Sequence, residues 1–100
     1  MTVADDLERL AQLWRERHSV YGETQLQVGE VMAALFPEGL TIKTVHDFNR
    51  AALLFHVMNK LLRYCNCYAA GGHQDSLGDL SVYAAMLREI DGQGTTPGPR

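Results

Sequence analysis

The chain is poor in the residues that would make it something other than a small helical domain. It has two cysteines in 100 residues, Cys65 and Cys67. They are too few and too close for a disulfide framework. On a helix they point to nearly opposite sides, which suits a shared zinc ion badly. Proline occurs only at Pro37, Pro97 and Pro99, so long helices are uninterrupted. No apolar run approaches the roughly 18 residues of a membrane span. Basic charge is also short. Lys plus Arg is 9 against 12 for Asp plus Glu, a formal net charge of −3. Binding to nucleic acid through phosphates normally needs a basic surplus, so generic DNA or RNA binding is disfavoured. No strand-like alternation, internal repeat, strand-to-helix glycine loop or serine beside a plausible base is visible. The first eight residues are acidic early and carry no apolar signal segment, so a cytoplasmic location is expected.

What remains is helical periodicity in an ordinary globular composition, 46% apolar and 21% charged. A first helix is expected from Val3 to about Arg17. Val3, Leu7, Leu10, Ala11 and Trp14 step by three and four and share one face. Asp5, Asp6 and Glu8 stand near its start, and Arg15 and Arg17 near its end, as the helix dipole favours. A second helix is expected from Gln25 to Phe36, with Val28, Met32 and Leu35 inward and Pro37-Glu38-Gly39 as the stop. A third runs from a Thr44 cap, with Asp47 three residues on, to about Ala70, where Gly71-Gly72 ends it. That is about 26 residues, or roughly 39 Å.

This third helix carries two apolar stripes. One is Phe48, Ala52, Phe55, Met58, Leu62, Cys65 and Ala69; the other is Leu54, Val57, Leu61, Tyr64 and Tyr68. It should therefore be central and covered on two sides. A fourth helix is expected from about Asp75 to Ile90 or Asp91, with Leu77, Leu80, Ala84 and Leu87 as its apolar stripe. The expected architecture is all-α: a compact four-helix domain over residues 1–91, with a long central helix and a C-terminal antiparallel helical hairpin, then a flexible tail over 92–100.

The hairpin makes a geometric forecast. Residues equidistant from the loop lie side by side, which puts Asp79 near Arg63 to Asn66 and Tyr83 near Lys60 and Leu61. Asp75 and Asp79 are four apart and share a face. A polar groove would then hold His56, Lys60, Arg63, Asp75 and Asp79, with Tyr83 at its edge. Lysine and arginine suit phosphate or carboxylate groups. Two carboxylates on one face suit Mg²⁺. The same residues also fit a purely structural role: an Arg63–Asp79 salt bridge, Asp75 capping the fourth helix, and His56 and Tyr83 as packed groove residues.

Lys60-x-x-Arg63, a short glycine-rich loop, and Asp75-Ser76-x-x-Asp79-Leu80-x-x-Tyr83 together resemble small phage and prophage proteins carrying the nucleotide modification associated domain, type 1, and related uncharacterised phage families. Arg17-x-x-x-Tyr21-Gly22 fits the same pattern. The resemblance covers about residues 15 to 91. It implies a distant, reduced relationship to the all-α MazG-like nucleotide pyrophosphohydrolases, a setting in phage nucleotide metabolism, and a host-cytoplasm location. Those enzymes use a Glu-x-x-Glu pair and a Glu-x-x-Asp pair around Mg²⁺. Here Glu23 and Glu30 are seven apart, and Asp75 and Asp79 are four apart.

Three functions follow as expectations. The first is binding of a nucleotide or nucleotide-derived anion, with Lys60 and Arg63 on phosphate and Tyr21 or Tyr83 on base or ribose. In a phage setting this would sequester a host immune signal. The second is Mg²⁺-dependent nucleotide hydrolysis on Asp75, Asp79 and Glu30. The third is a ligand-free interaction protein, because a two-stripe helix in so short a chain calls for a second copy. A homo-oligomer is expected beside the first function as well.

Overall fold

The computed structural model describes residues 2–21 and 24–93, without the side chains of residues 19–21 and 25. These residues form four α-helices, α1 (Val3–Tyr21), α2 (Thr24–Leu35), α3 (Val45–Asn66) and α4 (Gln74–Gly92), with a 3₁₀ turn at Tyr68–Ala70 between α3 and α4. No strand occurs among the described residues. The chain is all-α, as its periodicity requires. Among the described residues, no helix is long and apolar enough to cross a membrane.

Local chemistry explains where the helices begin. At α3 the Thr44 hydroxyl accepts from the Asp47 amide at 3.0 Å, and the Asp47 carboxylate accepts from the Thr44 amide at 3.2 Å. The reciprocal pair satisfies two amides that the helix itself leaves unbonded. Thr2 and Asp5 do the same at α1, with both bonds at 3.1 Å. The α2 end is followed by a turn in which the Gly39 amide donates to the Phe36 carbonyl at 2.9 Å. Gly39 has φ +80, a conformation that needs glycine.

Several boundaries differ from expectation. Helix α1 runs on to Tyr21 instead of ending near Arg17. Helix α3 ends at Asn66, four residues before Ala70. There the Cys67 amide reaches both the Arg63 and Tyr64 carbonyls, and the chain tightens into the 3₁₀ turn. Gly71 and Gly72 follow at φ +104 and +90. A Cβ on Gly72 would stand 2.8 Å from Tyr64 Cε2, so the Tyr64 ring lies directly over the loop. Helix α4 is capped by His73, not Asp75. His73 Nδ1 accepts from the Ser76 amide at 3.3 Å and meets Ser76 Oγ at 2.7 Å. Ser76 is 2% exposed, the most deeply buried side chain described. Of the expected tail, Gly92 is still helical, and residues 94–100 lie outside the described residues.

Helix α3 is the centre of the packing. It runs against α4 over most of its length, touches α2 less and α1 only sparsely. Asn66 Nδ2 donates to Gln27 Oε1 at 3.2 Å, tying α3 to α2. The buried apolar side chains are few: Met32, Ala51, Met58 and Cys67. The α1 face expected to point inward does not. Val3 is 77% exposed, Leu7 61%, Leu10 49% and Trp14 55%. On α2, Leu35 is exposed as well, leaving Met32 inward with Val28 half-buried. Of the second stripe of α3, Leu54, Val57 and Tyr64 are half-buried, while Leu61 and Tyr68 are exposed. The first is uncovered at Phe48, Ala52, Phe55, Cys65 and Ala69. Amphipathic patterning says that a face favours burial, not that the same chain supplies the cover.

Candidate functional site

The α3–α4 hairpin is antiparallel, and three cross-helix contacts set its register. Arg50 Nε meets Asp91 Oδ1 at 2.6 Å. The His56 and Tyr83 rings stack, with centroids 4.6 Å apart and planes 10° from parallel. Lys60 Nζ meets Asp79 Oδ2 at 3.0 Å. The expected partners were one turn away. Asp79 pairs with Lys60 rather than Arg63, and Tyr83 lies on His56 rather than beside Lys60 and Leu61. The cause is the early end of α3. With α3 stopping at Asn66 and α4 starting at Gln74, the midpoint of the connection moves toward α3 by about two and a half residues. Each partner on α3 then moves by twice that, about one to one and a half turns.

The seam thus gathers four of the seven residues singled out from sequence: His56, Lys60, Asp79 and Tyr83. Residues 56 and 60 are one helical turn apart, about 6 Å along the axis. The Lys60 side chain is 15% exposed and that of Asp79 is 55% exposed. The Lys60 stem is therefore largely buried, and the carboxylate that holds its ammonium stands at the rim. Arg63 is half-buried one turn further along α3. Asp75 is exposed in the first turn of α4. Tyr21 closes α1, but its side chain, with Gly22 and Glu23, lies outside the described residues.

No group of three or more His, Cys, Asp or Glu side chains able to hold a metal ion occurs among the described residues. Glu30, Asp75 and Asp79 are not brought together, so the ligand set expected for Mg²⁺ is not assembled within the described chain. The cysteines behave as their spacing implies. Cys65 is exposed and Cys67 buried.

The segment Leu40-Thr41-Ile42-Lys43, between α2 and α3, contributes to the wall of a cavity of about 240 Å³ at the far end of the same seam. Leu40, Ile42, Leu54 and Leu87 give it an apolar lining, and the joined Arg50 and Asp91 are among its charged lining. Sequence reasoning did not single out Arg50 or Asp91. Their signal was register alone, which a misplaced helix end conceals. It also missed His73 and Ser76 as a capping pair. The available signal was a polar acceptor three residues before a serine at the helix start, the spacing already recognised at Thr44 and Asp47.

Comparison with protein-family models, with curated proteins and with solved structures found no match.

Proposed function

We propose that the chain binds a nucleotide or nucleotide-derived anion on the α3–α4 seam. The observation that carries this is the meeting of a largely buried lysine, held at its ammonium by Asp79, and a stacked ring pair within one turn of the hairpin. Lys60 takes a phosphate oxygen. An ammonium makes a stronger, charge-assisted hydrogen bond to phosphate than a neutral donor does. Asp79 is more than half exposed, so it can yield its place to phosphate and rehydrate at small cost. Tyr83 and His56 offer ring surface and hydrogen-bonding edges to a base or ribose. Arg63 extends the cationic edge by one turn.

Retention of the ligand is the form this reading takes. In a phage setting such a protein would lower the free concentration of a host nucleotide signal. The test is incubation of purified protein with cyclic and linear nucleotides and Mg²⁺. The filtrate is then chromatographed, and so is whatever the denatured protein releases. A nucleotide depleted from the filtrate and released intact supports the proposal. Conversion to a new product replaces it with hydrolysis. An unchanged panel overturns it.

A further inference from the structure

We infer that α1 is a self-association helix, and that its partner is the α1 of a second copy of this chain, packed antiparallel across a two-fold axis. The inference is independent of the seam reading and rests on different residues.

Val3, Leu7, Leu10 and Trp14 follow one another by four, three and four, the alternating spacing of a coiled-coil seam. All four are at least 49% exposed, and Leu13 beside them is 40% exposed. Scattered exposed leucines are ordinary on any protein. A stripe filling every seam position along three turns is not. Among the described residues, helix α1 meets α3 only sparsely. Asp6, Ala11 and His18 are its half-buried residues, the last two along one edge of the helix. Its apolar stripe is thus left outward by the contacts the chain makes with itself.

Area and charge both point to a second copy. The five exposed α1 residues present on the order of 500 Å² of apolar surface. Two copies facing each other would remove about 1,000 Å² from water before any polar rim is counted. That reaches the size at which a specific interface becomes credible. A two-fold axis lets one stripe serve as both surfaces. Charge then selects the direction. The first half of α1 carries Asp5, Asp6 and Glu8 against one Arg9; the second half carries Arg15 and Arg17 against one Glu16. Antiparallel packing lays each acidic half beside the partner's basic half and opposes the two helix dipoles. Parallel packing would lay like against like.

The test is sedimentation velocity on the full chain and on two kinds of variant. The wild-type chain of 11.2 kDa should sediment at twice its mass at micromolar concentration. Leu10→Glu should weaken association by about a hundred-fold, because the axis presents each substitution twice. Circular dichroism checks that its helices persist. Charge inversion keeps the inference falsifiable should Leu10→Glu misfold. One variant carries Asp6→Lys and Glu8→Lys; the other carries Arg15→Glu and Arg17→Glu. Each alone should dissociate, and an equimolar mixture should reassociate as a heterodimer in native mass spectrometry. A wild-type monomer at 100-fold higher concentration overturns the inference. So does a dimer indifferent to all three variants. Inversion variants that stay fully dimeric on their own overturn the antiparallel arrangement.

Discussion

Lys60→Met separates a binding role for the seam from a purely structural one. Methionine keeps the unbranched stem that runs along the helix and removes only the ammonium. The structure sets the expected cost. The lost ion pair, 3.0 Å long, joins a side chain 15% exposed to one 55% exposed. A pair at the water boundary contributes about 0–1 kcal/mol. Asp79 is not stranded by the change, because it can rehydrate where it stands. Burial of a methionine tip offsets part of the loss. Net destabilisation should stay within about 1 kcal/mol, no more than roughly 4–8 °C in Tm for a domain of this size. The reverse substitution is not equivalent. Asp79→Ala leaves the ammonium of a mostly buried lysine without its carboxylate and should cost about 1–3 kcal/mol. Binding should show the opposite order. Lys60→Met removes a charge-assisted hydrogen bond of about 1.5–3 kcal/mol, which is about 10- to 100-fold in affinity. Urea unfolding followed by circular dichroism gives the first quantity. Equilibrium dialysis of the nucleotide recovered from the panel gives the second. Both need equal protein concentration, since self-association adds to apparent stability. A Lys60→Met variant that loses 3 kcal/mol or more, or one that binds as tightly as the wild type, refutes the reasoning.

Three further outcomes follow from local geometry. Gly72→Ala should destabilise by about 2–3 kcal/mol and Gly71→Ala by about 1–2. Both positions have positive φ, but only at Gly72 would the new Cβ also strike the Tyr64 ring; equal losses in urea unfolding would show that the ring yields freely. Ser76→Ala should cost about 1 kcal/mol for its bond to His73, and Ser76→Val about 2 kcal/mol or more because a site 2% exposed has no room for added volume. Stability should also fall in acid through the helix starts. Amides of Lys43 and Thr44 hold the Asp47 carboxyl below the usual carboxylate range, and the amide and hydroxyl of Thr2 do the same for Asp5. A lowered folded value means that the contribution is complete above the ordinary carboxylate range, about pH 4, and is lost as pH falls through the lowered value. Thermal melts of Asp47→Asn should show a flatter acid limb than those of the wild type, and an identical limb would remove Asp47 from the account.

The helices themselves were legible because their signals are local. Thr44 with Asp47 starts α3 and the turn after Leu35 carries Pro37 and Gly39, each within a few residues; the Gly71-Gly72 pair shapes the connection but does not end α3, which stops at Asn66. The pairing of α3 with α4 was legible only to within a turn. Tyr68, Ala69 and Ala70 continue the apolar pattern of α3, and nothing in their side chains announces a 3₁₀ turn. That choice depends on how the Cys67 amide divides itself between two carbonyls. A small change there moves every rung of the hairpin, which is why Lys60 holds the carboxylate expected at Arg63.

The α1 stripe was legible as a stripe and misleading as a core. Its residues have the spacing of a buried face, yet burial is a property of what lies opposite. In this chain the central helix carries two apolar faces, and α4 packs along it so that one of them is half-buried at Leu54, Val57 and Tyr64. The other is left to α1 and α2, which reach α3 only in part while keeping apolar residues of their own in water. Among the described residues, α3 leaves part of one apolar face in water and α1 leaves its stripe there; the two-fold contact inferred above would cover the second of these. Apolar surface left over in this way is a structural demand that repeats identically in every copy. A symmetric contact is the simplest arrangement that meets it without a second gene product. On that argument, the modest core of Met32, Ala51, Met58 and Cys67 is the part of the hydrophobic interior that one copy can complete alone.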